Sequence, residues 1–537
     1  MRSDQVANSA GGFVWAVDKW TRLRRFLILG SEGGSYYASE RDLTKENVSA
    51  VRDCLAEDGL RTVAEIVEVS KGGKAPQNDP ALFALACAIS VNDTATKRAA
   101  AEALPAVARI GTHLYHFLTY AETMRGWGRT LRWAVANWYE KNPEKLALQA
   151  IKYRQRDGWS HRDVIRLGRT NPYASDELKD IYGFISGNVD HTWVEGDRRS
   201  AKVRSWKASE ITQPLIVGFL EAQKASSAKK TAALVKEYNL PREALKTEHL
   251  NDPLVWEAML DNGMPMTALI RNLATMTRIG VLDSSEWLEK VTDALGNEEA
   301  IRNARVHPMT LLIGLRTYAS GRGLRGSNTW DPIPDITDAL DAGFYLAFDN
   351  VEPTGKRYLL ALDVSGSMGG YGYRSGGYYG HGGVAGAPIT PREASTAMAL
   401  VTLHAEKKVD IMAFSDRFMP VNFSRRQRLD DACRQTQGLP FMGTDCALPM
   451  MWAESKAKEY DAFIVYTDSE TWAGRVHPTQ ALASYRQRTG INSKSVVVGM
   501  VSNGFTIADP NDPGMMDVVG FDTSTPALIS EFVAGRI

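Results

Sequence analysis

Cysteine is scarce in this sequence, with four residues among 537: Cys54, Cys87, Cys433 and Cys446. They stand far apart and form no CxxC pair, so neither a disulfide framework nor a zinc finger is expected. We expect these residues to be buried thiols.

Long apolar runs are also missing. Apolar runs such as residues 26–29 and 496–501 fall far short of the roughly 20 residues that a bilayer span needs. No signal-peptide pattern opens the sequence. We therefore expect a soluble, cytoplasmic protein with no membrane partner.

Catalytic motifs are absent as well. The sequence has no GxxxxGK[ST] phosphate loop and no GxSxG nucleophile elbow, and no histidine or cysteine joins a convincing catalytic set. We expect a binding protein and no enzyme activity.

Net charge is zero, because 63 basic residues face 63 acidic ones. The whole molecule therefore lacks a field that would attract a nucleic acid or a membrane. The average conceals a local excess, since residues 125–169 hold eleven Lys/Arg against four Asp/Glu, a net charge of +7.

The chain is large, and its first half has a helical pattern. A length of 537 residues exceeds what one hydrophobic core supports, so two or more domains are expected. Between residues 43 and 320, apolar positions recur three and four apart; Leu269, Leu273 and Met276 follow Pro265 in this way, and Gly280 ends the run. We predict an all-α region of antiparallel helix pairs, either a bundle or a HEAT-like or armadillo-like solenoid.

A domain boundary is expected near residues 331–357, where prolines and glycine cluster. We assign residues 1–350 to the helical domain and 351–537 to a second one. There, strand-like runs at 358–362, 409–414, 462–466, 495–501 and 516–521 alternate with helix-like runs at 393–407, 446–459, 478–488 and 526–533. This alternation predicts a doubly wound, Rossmann-type α/β domain with a mostly parallel sheet.

Residues 369–386 interrupt the α/β pattern with nine glycines and four tyrosines. Such a composition cannot bury a core, so we predict a flexible loop. This loop is either an insertion without function or a flap of tyrosine, glycine and arginine residues that stacks on unpaired bases.

Oxygen-bearing side chains follow three predicted elements of the α/β domain. Asp363, Ser365 and Ser367 form a DxSxS group after the strand at 358–362, Thr444 precedes a helix, and Asp468 follows the strand at 462–466. The carboxyl ends of parallel strands share one edge, where ligands bind. Hard oxygen donors suit Mg²⁺ or Mn²⁺. The alternative is a tight strand-to-helix turn with ordinary helix caps.

These motifs resemble the von Willebrand factor A module and its metal-ion-dependent adhesion site. In that family the two serines and the threonine ligate the cation, the aspartates act directly or through water, and a partner's carboxylate completes the shell. The resemblance assigns these roles to Asp363, Ser365, Ser367, Thr444 and Asp468.

Two longer motifs, at residues 20–37 and 152–163, resemble the TROVE module of the Ro family. Together with the adhesion module, the resemblance covers nearly the whole chain. It implies a ring of HEAT-like repeats that binds small non-coding Y RNAs outside and single-stranded ends of misfolded RNAs in its central hole. It also implies cooperation with polynucleotide phosphorylase or another exoribonuclease. We expect a monomer.

Two cationic stripes support RNA binding independently of the resemblance. On a helix turning 100° per residue, Lys145, Lys152 and Arg156 would share one face. Ser160 and Asp163 form a capping-box pattern for a second helix. On that helix, arginines recur four and three apart: Arg162, Arg166 and Arg169. Neighbouring stripes neutralise phosphates without reading sequence.

Some basic residues carry further expectations. The family's RNA-gripping Lys, Arg and His match Lys152, Arg156 and Arg169; the arginine in place of histidine keeps the charge and removes pH dependence. Arg129 and Arg132 are weaker candidates because neighbouring glycines interrupt their helix. We expect His161 to have a surface or helix-start role. The runner-up to RNA binding is a metal-dependent protein-adhesion scaffold on which RNA is incidental.

Overall fold

The structure is a computed structural model with side chains. It describes residues 5–7, 13–15, 19–30, 35–37, 49–72, 75, 77–141, 143–171, 174–186, 190–195, 202–207, 211–323, 327–369, 371–374, 377–380, 384, 388–415, 417–439, 444–467, 475–500, 507–509, 512–520 and 523–536.

Helices dominate the first 350 residues. They are α1 (Lys19–Leu29), α2 (Ser49–Glu57), α3 (Gly59–Lys71), α4 (Asp79–Ser90), α5 (Thr94–Val107), α6 (Gly111–Met124), α7 (Arg129–Glu140), α8 (Pro143–Lys152), α9 (His161–Gly168), α10 (Asp176–Ser186), α11 (Pro214–Lys224), α12 (Ala228–Tyr238), α13 (Pro253–Asp261), α14 (Met266–Arg278), α15 (Ser285–Gly296), α16 (Glu298–Asn303), α17 (Pro308–Ala319) and α18 (Pro334–Leu346). Short strands interrupt them: β1 (Gln5–Ala7), β2 (Phe13–Trp15), β3 (Ser35–Tyr37), β4 (Gln155–Arg156), β5 (Trp159–Ser160), β6 (Asp190–Glu195) and β7 (Lys202–Lys207).

The remaining chain alternates strands and helices. These are β8 (Arg357–Asp363), β9 (Tyr371–Arg374), β10 (Gly377–Gly380), α19 (Pro391–Ala405), β11 (Lys408–Phe414), β12 (Phe418–Pro420), α20 (Leu429–Gln437), α21 (Leu448–Ser455), β13 (Ala462–Thr467), α22 (Pro478–Thr489), β14 (Lys494–Gly499), β15 (Met515–Val519) and α23 (Thr525–Ala534).

Helices in the first half of this region pack on the helix two positions further along, as α3 does on α5, α5 on α7 and α7 on α9, whereas later ones pack on the next helix, as α12 does on α13 and α17 on α18. This layering is typical of helical repeats, in which each unit buries its apolar face against the next. Helix α14 forms as predicted: Leu269, Leu273 and Met276 are buried, and Gly280 follows the helix with φ +82°. Closure of the repeats into a ring stays a prediction.

Antiparallel hairpins in the helical region were not expected. The pairs are β1 with β2, β4 with β5, and β6 with β7. Strand β6 contains Thr192, Trp193 and Val194, and β7 contains Val203 and Trp206; these residue types fit a pleated strand better than a helix.

The α/β region carries a seven-stranded sheet in the order β12-β11-β8-β13-β14-β15-β3, in which only β12 is antiparallel to its neighbour. Alternate residues of the strands face opposite helical layers: Leu360 packs in one core with α19 and α23, and Leu359 in another with α21 and α22. The predicted fold class, a helical domain followed by a doubly wound α/β domain, is confirmed.

Two stretches of the glycine-rich segment, residues 371–374 and 377–380, form strands, and its flexibility stays a prediction. Strands β9 and β10 form an antiparallel hairpin with Tyr373 opposite Tyr378. Tyrosine favours strands, which offsets the glycine content that suggested a loop.

Contacts join the two regions at both ends of the helical chain. Arg316 of α17 lies 2.5 Å from Glu393 of α19 and 2.9 Å from Asp430 of α20. At the other end, β3 pairs with β15, and the guanidinium of Arg25 in α1 donates to the carbonyl oxygen of Asp512 at 3.4 Å. No helix of the described part of the chain is long and apolar enough to cross a membrane.

Strand β15 buries a carboxylate inside the sheet. Asp517 is 3% exposed, and its Oδ2 accepts hydrogen bonds from the amides of Ile507 at 2.8 Å and Ala508 at 2.7 Å. Its Oδ1 has no hydrogen-bond partner among the residues the structure describes. Burial raises the pKa of Asp517 to about 7.

This buried acid predicts a pH-dependent stability. An unfolded aspartate releases its proton near pH 3.9, whereas folded Asp517, with its pKa of about 7, retains it. The folded state therefore loses stability as pH rises from about 4 to about 7. We expect Asp517→Asn, which cannot ionise, to lack this decline in a urea-midpoint series. Parallel pH profiles for the two proteins would contradict the assignment.

Candidate nucleic-acid interface and metal site

The first predicted stripe is split between a helix and a hairpin. Lys145 and Lys152 lie on α8 as predicted, but α8 ends at Lys152 and Arg156 lies in β4. The reason is the Asp157-Gly158 pair, whose φ angles of +52° and +81° form a hairpin turn that no helix can continue. The prediction that all three residues share one helical face is wrong.

The second stripe begins as predicted and ends earlier. The Ser160 hydroxyl accepts from the Asp163 amide at 3.2 Å, and the Asp163 carboxylate accepts from the Ser160 amide at 3.3 Å, so the capping box exists. Arg162 and Arg166 are exposed on α9. Arg169 lies one residue beyond the helix in the left-handed conformation, with φ +52°, which corrects its predicted place in the stripe.

His161 is the first residue of α9, but it has no surface role. It is 2% exposed, and its Nδ1 lies 2.6 Å from the Tyr139 hydroxyl. The rings of Tyr115 and Trp138 contact the imidazole at centroid distances of 5.2 and 6.2 Å. Burial lowers the pKa of His161 to about 4, so it stays neutral and inside the protein. The prediction of a surface position is wrong because the aromatic pocket comes from other helices.

Carboxylates lie near three of the exposed candidate cations. Lys152 lies 3.3 Å from Glu243, Arg166 lies 3.7 Å from Asp163, and Arg156 lies 4.0 Å from Asp157. Exposed pairs of this kind contribute about 0.2–1 kcal/mol and exchange readily for a phosphate. Within the described residues, no carboxylate lies within 4.0 Å of Lys145, Arg162, Arg169 or Arg129. The surface keeps its positive charge.

Arg132 and Trp133 of α7 extend this surface. The Arg132 Nε donates to the carbonyl of Leu167 at 3.3 Å, which ties α7 to α9. Trp133 is 43% exposed, the one aromatic among the large exposed hydrophobic side chains of the described residues. It lies one helical turn after Arg129. Sequence reasoning missed Trp133, although its position on the polar face of an amphipathic α7 was a usable signal.

His116 holds the turn that carries Arg156, and it too was missed. Its Nδ1 lies 2.5 Å from an Asp79 oxygen at the start of α4, and its Nε2 lies 2.9 Å from an Asp157 oxygen. The hydrogen bond to Asp79 raises the pKa of His116, against the opposing effect of burial. His116 therefore links the hairpin to α4.

The candidate metal site lies at the carboxyl edge of the sheet. Asp363 ends β8 and is 1% exposed; its carboxylate accepts from the Ser365 amide at 2.8 Å and from the Thr467 hydroxyl, at the end of β13, at 2.7 Å. Arg392 of α19 donates to the Ser365 carbonyl at 3.1 Å. Burial raises the pKa of Asp363, and a bound cation would offset the cost of burying its charge.

Other predicted metal ligands are only partly described. Thr444 is buried beside Asp445, whose amide donates to the Ser415 carbonyl after β11, so this loop reaches the same edge. Ser367 lies in a short 3-10 turn, Gly366–Gly369, and its side chain lies outside the described residues, as does Asp468. The described donors, a buried carboxylate with hydroxyl groups, fit a hard divalent cation. Thr467 and Arg392 were not predicted.

The chain matches a TROVE domain over residues 6–315 and a Ro60 von Willebrand A domain over residues 357–533, in agreement with the fold described above. The RNA-binding protein RO60 of Deinococcus radiodurans is 40% identical, over 99% of this chain and 96% of its own. The RNA-binding protein RO60 of Caenorhabditis elegans is 37% identical over a match that covers 100% of this chain and 91% of that protein.

Solved structures agree with this assignment. The crystal structure of the Deinococcus radiodurans Ro (RSR) protein matches with a TM-score of 0.86 and 39% identity, covering 97% of this chain and 100% of that one. The chain belongs to the Ro protein family.

The His116 contacts predict a stability difference with a definite sign. Folding raises the pKa of His116 above its value in the unfolded chain, near 6.5. The contacts therefore stabilise the folded state fully below about pH 6.5, and this contribution disappears as the pH rises through the pKa of His116 in the folded state. We expect the urea midpoint of wild type to exceed that of His116→Gln most below pH 6.5, and the gap to close on the alkaline side.

His113, one turn earlier, provides the matched control. Burial lowers the pKa of His113 to about 4. Wild type should therefore lose stability relative to His113→Gln as the pH falls from about 6.5 to about 4, the opposite of the trend at His116. A His116→Gln gap that widens with rising pH would contradict the proposed contacts.

Proposed function

We propose that this chain binds RNA on the surface formed by α8, the β4–β5 hairpin, α9 and the start of α7. One observation carries the proposal: four successive elements of the chain expose lysine and arginine side chains, and most of the candidate cations lack a carboxylate partner among the described residues. Lys145, Arg162 and Arg169 have no carboxylate within 4.0 Å among the residues described. Membership of a family whose relatives are named RNA-binding proteins supports it.

The expected ligand is a structured small RNA of the Y type. Cations that contact phosphates recognise a folded backbone by its shape and charge and need no base readout. The exposed Trp133 adds a face on which an unpaired base can stack. We further propose that loose ends of misfolded RNA enter a central cavity of the helical ring, in RNA quality control or decay. There the protein would work beside an exoribonuclease such as polynucleotide phosphorylase, in the cytoplasm.

Removing three cations tests the RNA surface. The change is the triple variant Lys152→Ala, Arg156→Ala, Arg169→Ala. Each lost phosphate contact should flatten the slope of log K against log salt by about 0.7–0.9, so the triple variant should lose about two to three units of slope together with affinity. Gel-shift or filter-binding titrations at several salt concentrations measure both.

A control triple variant removes the same charge elsewhere. Arg98, Lys236 and Arg302 are surface cations held by Glu102, Asp261 and Glu298. Their alanine variants should leave affinity and slope near wild type. Equal effects in the two triple variants would remove the proposed surface.

A second candidate function is metal-dependent adhesion at the sheet edge, favoured by the buried Asp363. Together with Ser365 and Thr444, and with Ser367 and Asp468 from outside the described residues, it would hold Mg²⁺ or Mn²⁺. The bound cation would supply a positive charge that a partner's carboxylate could ligate.

Asp363→Asn tests this site because it keeps the shape and removes the charge. We expect Mg²⁺, compared with EDTA at equal ionic strength, to raise the thermal midpoint of wild type but not of the variant. RNA affinity should be unchanged in the variant. In pulldowns, partners that EDTA releases and nuclease leaves attached would favour adhesion as the main function; the reverse pattern would favour RNA binding.

A further inference from the structure

A small cavity lies at the start of α7, at the margin of the proposed RNA surface. Its volume is about 210 Å³, and three cationic residues, Lys97, Arg125 and Arg129, line it. The lining contains no acidic residue. Since one water occupies about 30 Å³ in the liquid, the cavity can hold a tetrahedral oxyanion and part of the molecule that carries it.

The cations are held in place without being neutralised. The Nη1 of Arg125 donates to the carbonyls of Ser90 at 3.1 Å and Val91 at 2.9 Å, at the end of α4, which leaves Nη2 and Nε for another acceptor. Lys97 of α5 is partly buried, and no carboxylate lies within 4.0 Å of its ammonium among the described residues. Asp93, the N-cap of α5, is the acid whose charge interacts with it.

Backbone groups add to the positive potential. Gly128 caps α7 without a side-chain hydrogen bond, and no acidic residue lies in the first turn of this 12-residue helix. The first intrahelical bond runs from Arg132 to Gly128, so the amides of residues 129–131 remain available to an anion. Ser90 also lines the cavity, and its hydroxyl is buried with no hydrogen-bond partner in the described part of the chain.

We propose that this cavity binds a phosphate group, and that Lys97, Arg125, Arg129 and the first turn of α7 hold it. Three cations and a helix N-terminus favour a dianion, and a phosphomonoester carries about −1.5 to −2 charges near pH 7. The guanidinium groups match phosphate geometry. The phosphate is either the 5′ end of bound RNA, which rests on the proposed RNA-binding function, or a free phosphate, which does not.

The test uses the full chain and one single-stranded oligoribonucleotide, labelled at its 3′ end, with either a 5′-phosphate or a 5′-hydroxyl. We expect wild type to prefer the 5′-phosphate about tenfold in fluorescence anisotropy, the equivalent of about 1.4 kcal/mol. Lys97→Gln should abolish this preference. Arg98→Gln, which removes the same charge from the neighbouring position on α5, should keep it.

A parallel arm identifies the source of the phosphate. Inorganic phosphate, at constant ionic strength, should raise the thermal midpoint of wild type and Arg98→Gln but not of Lys97→Gln. If this dependence on Lys97 occurs without a 5′-end preference, the site is supported with free phosphate as its occupant. Arg129→Gln, at an exposed helix start, repeats the test should Lys97→Gln fold poorly.

Two results would overturn the proposal: no effect of Lys97→Gln in either arm, or equal effects of Lys97→Gln and Arg98→Gln. Both leave the RNA surface untouched, because that surface is tested by affinity for structured RNA, which depends on Lys152, Arg156 and Arg169. If the triple variant loses that affinity but its thermal midpoint still rises with inorganic phosphate, the phosphate cavity functions independently of the RNA surface.

Discussion

A neutral, buried imidazole fixes where the cationic surface points. His161 begins α9. A buried imidazole needs a polar partner inside the protein, and the Tyr139 hydroxyl provides one, 2.6 Å from the His161 Nδ1. The contact pins the start of α9 against α7, and the ring of Tyr115 pins it against α6. On either side of this fixed point, Arg156 of the hairpin and Arg162 and Arg166 of α9 are exposed.

The second constraint is the junction between the two regions. Arg316 is shared by two acids from the α/β domain, Glu393 and Asp430, and Leu429 donates its amide to the Tyr345 hydroxyl at 2.8 Å. With β3 added to the far edge of the sheet, the α/β domain contacts the helical region near both its beginning and its end. The sheet edge with the candidate metal site and the cationic surface therefore belong to two regions that contact each other at two places.

Much of this architecture could be predicted from local patterns. The parallel strands and the main helices of the α/β domain lie within a few residues of their predicted positions, because fully buried strands need continuous apolar runs and amphipathic helices need a 3.6-residue period. The hairpins were missed because two-residue strands such as β4 and β5 have no period. The place of Arg156 depended on a turn at Asp157 and Gly158, which outweighed the helical spacing.

The sequence by itself determined the two-domain plan, the capping box of α9 and the local excess of positive charge, since each follows from neighbours along the chain. Only the tertiary structure decided that His161 is buried, that His116 joins Asp79 to Asp157, and that Lys97 meets Arg125 and Arg129 around one cavity. The physical reason is distance along the chain: these partners lie tens of residues apart, and packing rather than spacing brings them together.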